Sequence, residues 1–265
     1  MHLKHAPLGS TGLSVSSLGL GTVKFGRSSG VKYPTPVTIP DDAAAASLLA
    51  KARSLGINLI DTAPAYGTSE SRLGSLLKGQ RDDWVICTKV GETFENDQSS
   101  FDFSPEAIVA SVERSLQRLA TDRLDLVLVH SDGLIEANLP GTGVLPTLAR
   151  LKQQGKIRAM GASTKTPEGA LAALPHCDAL MLTLHPEHLA DLPVIEAARL
   201  ARKGVLIKKV FGSGHLAHSA GSQKSCLELA LRTPGVGSVI IGTTNPAHLE
   251  SNVAIAAAAL VPGPG

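Results

Sequence analysis

Aromatic residues are scarce. The 265-residue chain has two tyrosines, one tryptophan and five phenylalanines, 3% in all. With 43% apolar residues, any core must be built from Leu, Val, Ile and Ala. Charge of one sign is also missing: 25 Lys and Arg face 23 Asp and Glu, a formal net charge of +2. No charge run supplies the basic face that nucleic-acid binding requires. Cysteine is limited to Cys87, Cys177 and Cys226, an odd, widely spaced set that suits neither a disulfide framework nor a metal cluster and reads as buried, reduced thiols. No uncharged apolar run approaches the ~18 residues of a membrane span. The opening Met1-His2-Leu3-Lys4-His5 lacks a hydrophobic signal core. A cytoplasmic setting is expected, with no membrane partner.

What is present is an alternation. Gly9-Ser10-Thr11-Gly12 between Leu8 and Leu13 reads as a hairpin turn. Eight short apolar runs follow, at 17–22, 57–61, 84–89, 124–130, 157–162, 178–184, 204–209 and 238–242, most with the near-continuous hydrophobicity of strands buried on both faces. Helical stretches lie between them. One begins at Asp41-Asp42 and ends near Leu55-Gly56. The clearest covers 104–119, with Ser104 as N-cap, Pro105 at the first turn and an apolar stripe of Ile108, Val112, Leu116 and Leu119. Residues 26–40 read as a Gly/Ser/Pro loop. The pattern predicts a (β/α)8 TIM barrel with an N-terminal β-hairpin, one domain over 1–265, since such barrels run to about 250 residues. A doubly wound sheet is disfavoured because no Gly-x-Gly-x-x-Gly follows the first strand.

In such a barrel the chemistry sits at the C-terminal strand ends, and three of these ends are polar. The second strand ends at Asp61, with Tyr66 just beyond it, the third at Lys89 and the fourth at His130. Neighbouring strands are about 5 Å apart, so the four groups can share a pocket. A buried carboxylate needs a partner, which Lys89 supplies. An ammonium beside a phenol favours phenolate and lowers the tyrosine's pKa, and His130 can orient a carbonyl or relay a proton. The set suits moving a proton to or from an oxygen whose carbon gains or loses a hydride. Acyl transfer lacks its Ser–His pair, and no metal-ligand spacing is present. Two further stretches suit a dinucleotide. Phe211-Gly212-Ser213-Gly214 follows the seventh strand, where backbone N–H groups can cradle phosphate. After the eighth, Gly242-Thr243-Thr244-Asn245-Pro246 opens a helix whose N-terminus attracts an anion.

The run Asp61-Thr62-Ala63-Pro64-Ala65-Tyr66-Gly67-Thr68-Ser69-Glu70 resembles the signature of the aldo-keto reductases. Ile86-Cys87-Thr88-Lys89-Val90 and Leu128-Val129-His130 are similar to the segments that complete the family's tetrad. The opening Leu8 to Leu13 and Leu18 to Thr22, the strand-5 segment Gly161 to Thr164, and Ile240 to Pro246 with Leu249 to Asn252 extend the likeness over about residues 7–256. The resemblance implies Tyr66 as general acid/base, Lys89 and Asp61 as its tuning pair, His130 as substrate orienter, and direct hydride transfer between NADP or NAD and an aldehyde, ketone or sugar, the family favouring NADP and the residues after strand 8 leaving room for NAD. It places Gly21, Thr22 and Val23 at the nicotinamide pocket with Asp61, and Ser163 and Thr164 at the carboxamide. Lys208, Phe211, Gly212, Ser213 and Gly214 fall on the cofactor stretch after strand 7, and Gly242, Thr243, Thr244, His248 and Asn252 on the one after strand 8.

The chain departs from the pattern in four ways. Lys208 or Lys209 stands where many relatives place an aromatic that stacks on the nicotinamide. His248 stands where an arginine often meets the 2′-phosphate of NADP. Met181 or Thr183 replaces a strand-6 glutamine. The chain ends soon after the last helix, which predicts a pocket open on that side. These departures motivate a second reading, a dinucleotide-binding regulatory module with little turnover. A hydrolase or lyase built on Asp61 and Glu70 is weaker, because Glu70 falls in the helix after the turn. His185 reads as structural or pocket-lining, His215 and His218 as surface residues, and the tail 261–265 as frayed. The loop 131–143 is expected to shape the substrate pocket.

Overall fold

The computed structural model describes residues 2–217 and 219–261; Met1, His218 and residues 262–265 lie outside the described residues. The chain opens with an antiparallel hairpin, β1 (His5–Pro7) and β2 (Ser14–Ser16). Strand β3 (Leu18–Gly21), helix α1 (Asp42–Ser54), β4 (Leu59–Asp61), α2 (Ser69–Leu76) and β5 (Val85–Val90) follow. A second hairpin, β6 (Glu92–Glu95) with β7 (Gln98–Phe101), precedes α3 (Pro105–Arg118), β8 (Leu124–His130), α4 (Val144–Gln153) and β9 (Ile157–Ser163). The remainder is α5 (Pro167–Ala173), β10 (Ala179–Thr183), α6 (Leu192–Leu200), β11 (Gly204–Lys208), α7 (Ala220–Arg232), β12 (Ser238–Ile241) and α8 (Pro246–Ala259). Strands β3, β4, β5, β8, β9, β10, β11 and β12 pair in that order, all parallel, and β12 returns to β3 to close the barrel. The fold is the expected (β/α)8 barrel with its N-terminal hairpin, and each barrel strand lies within, or a residue beyond, its expected run.

Parallel strands buried on both faces produce two cores. Inward side chains, among them Leu59, Cys87, Leu126, Leu128, Met181, Leu206 and Ile240, fill the barrel. Outward ones meet the helices, including the Ile108, Val112, Leu116 and Leu119 stripe of α3. Helix ends follow the sequence signals. Ser104 accepts from the Ala107 amide at 3.3 Å, Asp41 from Ala44 at 2.7 Å and Asn245 from Ala247 at 2.9 Å, each satisfying a backbone donor that the first turn leaves unpaired.

The first hairpin stoppers the barrel. Leu8 and Leu13 are buried in the inner core, and a Cβ on Gly204 or Gly237 would lie 2.7 or 2.6 Å from the Leu8 side chain. Gly9, with φ +53°, would place a Cβ 2.4 Å from the Gly204 nitrogen. At the N-terminal end of β8, buried Asp125 accepts from Arg81 at 2.8 Å, Arg158 at 3.0 Å and the Ile86 amide at 2.9 Å. Sealing this end leaves the opposite end for chemistry. Among the described residues, no helix is long and apolar enough to cross a membrane.

Candidate active site

Strand pairing places Asp61 beside Gly21 on one side and Cys87 on the other. Its carbonyl accepts both the amide and the hydroxyl of Thr22, each at 2.9 Å. Thr22 accepts in turn from Ser69 at 2.9 Å, so a buried chain of hydroxyls ties the strand end to the start of α2. The turn that carries Tyr66 is closed by Tyr66 N–H to Ala63 O at 3.0 Å and Ser69 N–H to Tyr66 O at 3.2 Å. Two glycines let it dock. A Cβ on Gly67, whose φ is +59°, would fall 2.1 Å from Gly26 O, and one on Gly26 would fall 2.3 Å from Tyr66 O.

The four strand-end groups converge. Lys89, 1% exposed, donates to Asp61 Oδ1 at 2.5 Å and to Thr62 O at 2.9 Å. Its Nζ lies 4.7 Å from the centre of the Tyr66 ring, and the Tyr66 hydroxyl donates to Asp61 Oδ2 at 3.4 Å. His130 meets Tyr66 edge-on, with ring centres 6.3 Å apart. Burial is the largest single influence on Lys89 and works against its charge, but Asp61, Tyr66 and Cys87 together overcome it and hold the ammonium above its ordinary value. Tyr66 differs from the sequence-based expectation. Burial and the Asp61 carboxylate raise the phenol further than Lys89 lowers it, so the resting side chain is a protonated acid. His130 is pushed down, chiefly by burial and also by Lys89 and Lys208, against the opposing pull of Glu92.

Glu92, at the start of β6, escaped the sequence reading, although a charge two residues past a strand end was its signal. Its Oε2 lies 2.7 Å from His130 Nδ1, close but not aligned as a straight N–H···O bond, and Ser99 Oγ donates to Oε1 at 2.6 Å. Burial alone would raise Glu92; His130, Ser99 and Arg27 overcome it and hold the carboxyl at about 2. Arg27 also escaped notice. It donates to Ala65 O at 3.0 Å, stacks 3.4 Å over Phe94 and lies 3.8 Å from Glu92, joining the 26–40 loop, the Tyr66 turn and the second hairpin.

These groups border a cavity of about 560 Å³, a size usual for cofactor and small-ligand sites. Of the expected cofactor residues, Gly21, Val23, Asp61, Ser163, Lys208, Phe211, Ser213, Gly214, Gly242, Thr243, His248 and Asn252 line it. Thr22, Thr164, Gly212 and Thr244 are not among the lining residues. Thr22 is turned to Asp61, and the Thr164 carbonyl accepts from Lys208 at 2.6 Å. The phosphate cradle after β11 is narrower than expected: the Gly212 and Gly214 amides are engaged by the carbonyls of Lys209 and Phe211 at 2.7 and 2.8 Å. Ser213 and the N-terminus of α8 remain to meet an anion.

The cavity fits a nicotinamide dinucleotide. Its wall carries apolar Val23, Met181, Ile240 and Ile241 beside the polar side chains of Ser163 and Asn252. Gly242 stays open because a Cβ there would stand 3.3 Å from the Tyr33 hydroxyl. Tyr33 reaches the cavity from the 26–40 loop, and His215 Nε2 lies 3.2 Å from Lys32 O, so this loop touches the segments after β11 and β12. Ser131 lines the cavity from the 131–143 loop, as expected. His185 does not; it forms a local backbone bridge with His188.

Comparison with known proteins agrees with this geometry. The profile of the Aldo/keto reductase family matches residues 17–192. L-galactose dehydrogenase of Arabidopsis thaliana is 31% identical over 93% of this chain and 86% of its own length. The NADH-specific methylglyoxal reductase of Escherichia coli is 36% identical over 61% of this chain and 52% of its own. The crystal structure of a Pseudomonas aeruginosa protein assigned to the aldo-keto reductases superposes with a TM-score of 0.88 at 55% identity, covering 97% of this chain and 96% of that one. The protein is therefore an NAD(P)-dependent oxidoreductase that interconverts carbonyl and alcohol groups, and nothing favours the non-catalytic alternative. By profile, sequence and fold together, the chain belongs to the aldo/keto reductase family.

Proposed function

We propose that Tyr66 protonates the carbonyl oxygen during reduction and takes that proton back during alcohol oxidation. The observation that carries this reading is the buried Lys89–Asp61 pair at 2.5 Å against the face of the Tyr66 ring. A nicotinamide dinucleotide, when bound, supplies or accepts the hydride. Tyr66 starts as a neutral acid, and Lys89 stabilises the phenolate left when its proton departs. Asp61 keeps Lys89 charged and fixed. The negative Glu92 carboxylate 2.7 Å from Nδ1 favours, by charge rather than by an aligned hydrogen bond, the neutral His130 tautomer with its proton on Nδ1. That leaves Nε2 as a hydrogen-bond acceptor, suited to hold the product hydroxyl.

On the His130 side the cavity is lined by Ser99, which donates to Glu92, by Ser131 and by Lys165, whose Nζ donates to Asp132 O at 2.8 Å; these polar groups favour a short, hydroxylated carbonyl compound over a long apolar one. The Arabidopsis relative is named for a sugar, L-galactose, and the Escherichia coli relative for methylglyoxal, a small carbonyl compound without a hydroxyl. For the cofactor we infer that NADH serves at least as well as NADPH. Among the described residues lining the cavity after β12, His248 is the one basic side chain, and it lacks the paired donors with which arginine grips a phosphate. The test is consumption of NADH and of NADPH with a panel of small aldehydes, ketones and sugars. Turnover with hydroxylated carbonyls and NADH is expected; turnover confined to NADPH overturns the cofactor preference, and none with any carbonyl overturns the substrate class.

A further inference from the structure

Lys208 ends β11 with its side chain in the reaction cavity. Its Nζ donates to Ser163 Oγ at 2.9 Å and to Thr164 O at 2.6 Å. Ser163 is the strand-register partner of His130, so the ammonium stands one hydrogen bond and one strand spacing from the tetrad. A hydride donor must approach the carbonyl carbon to about 3–3.5 Å, and that carbonyl is held between Tyr66 and His130. The ring that exchanges the hydride therefore docks within Coulombic reach of Lys208. The oxidised nicotinamide ring carries a full positive charge and the reduced ring carries none, while the phosphates are the same in both. A lysine beside the ring thus acts on the difference between the two forms and on little else.

We propose that Lys208 makes the site discriminate between cofactor redox states, holding the reduced dinucleotide more tightly than the oxidised one and arming the enzyme for carbonyl reduction. This rests on the oxidoreductase reading of the cavity. Among the described residues no counter-ion cancels the charge at contact distance; both hydrogen-bond partners of Nζ are neutral oxygens. Lys209 from the same strand end and Lys89 from β5 face it as like charges, with His130 also near; Glu136 from the 131–143 loop and Asp191 ahead of α6 oppose them. Burial first, then Lys209 and Lys89, bring Lys208 down to about 7. Its charge is therefore set by pH in the neutral range. Below that range Lys208 is charged and repels the oxidised ring; above it the repulsion fades. Binding of the oxidised form at neutral pH should accordingly expel protons from the protein.

The experiment is equilibrium titration of the purified protein with NADH and NAD⁺, and with NADPH and NADP⁺, at acidic, neutral and alkaline pH, for wild type, Lys208→Met and Lys208→Arg. The readout is the ratio of the oxidised to the reduced Kd. At acidic pH the wild-type ratio should exceed that of Lys208→Met by about tenfold or more, a difference of about 1.4 kcal/mol. It should decline toward the Met value at alkaline pH and stay high at every pH in Lys208→Arg. Proton release on NAD⁺ binding, read by calorimetry in buffers of different ionisation enthalpy, should be present in wild type and absent in Lys208→Met. A wild-type ratio that does not change with pH overturns the proposal without any variant, as does an unchanged ratio in a folded Lys208→Met protein. Failure of wild type to bind any dinucleotide overturns the oxidoreductase reading itself, whereas tight binding of both redox forms with equal affinity overturns only the role of Lys208.

Discussion

Glu92 shows how much of the site depends on single side chains outside the tetrad. Its carboxyl is held at about 2, below the ordinary 4.5. A folded value below the unfolded one means that Glu92 contributes stability in full above about 4.5 and loses it as the pH falls toward 2. Glu92→Gln should therefore flatten the acid limb of the stability curve over that interval, measured by thermal melts across pH. The same substitution removes the charge that raises His130. The imidazole should then titrate at lower pH by NMR; an unmoved His130 resonance would show that the 2.7 Å contact carries no electrostatic weight. Asp61, Lys89 and His130 were readable in the sequence because a charge at the end of an apolar strand run is conspicuous. Glu92 and Arg27 were harder to find because their partners are distant in sequence: His130 lies 38 positions after Glu92, and Ala65 lies 38 positions after Arg27.

At the scale of elements, strand runs were legible since burial on both faces leaves continuous hydrophobicity, and helix starts were legible from Ser104, Asp41 and Asn245. The second hairpin, β6–β7, was not. Its Gln98–Phe101 strand is exposed, so no apolar alternation announced it, and its turn uses Asn96 and Asp97 at φ +50° and +62° rather than glycine. After β11 the glycines revealed that the chain can turn but not which amides the turn engages, since the Gly212 and Gly214 amides meet Lys209 O and Phe211 O. Two changes probe the elements separately. Leu8→Ala removes the barrel's stopper and should cost about 2–5 kcal/mol of stability, read by denaturant titration, with the cofactor Kd unchanged. Gly26→Ala forces the 26–40 loop off the Tyr66 turn, and the clash should cost about 1–3 kcal/mol and also lower kcat. A Gly26→Ala protein with wild-type kcat would show that the turn does not need this packing.

At the scale of the whole molecule, the barrel divides stability from chemistry. Leu8, Leu13 and the Asp125 ion cluster secure one end; Tyr66, Lys89, His130 and the dinucleotide cavity occupy the other. A ligand that binds only the folded barrel should raise its melting temperature, by an amount equivalent to about 2.7 kcal/mol at a hundred times Kd. NADH should produce a shift at least as large as NADPH at equal concentration, consistent with the lone His248 beyond β12. The role of Tyr66 as the acid is tested by a single-turnover measurement on Tyr66→Phe with reduced cofactor already bound. With Tyr66 as the proton donor, the variant should keep a cofactor Kd close to wild type and transfer hydride about a hundredfold or more slowly. Hydride transfer at the wild-type rate with cofactor fully bound would contradict that role.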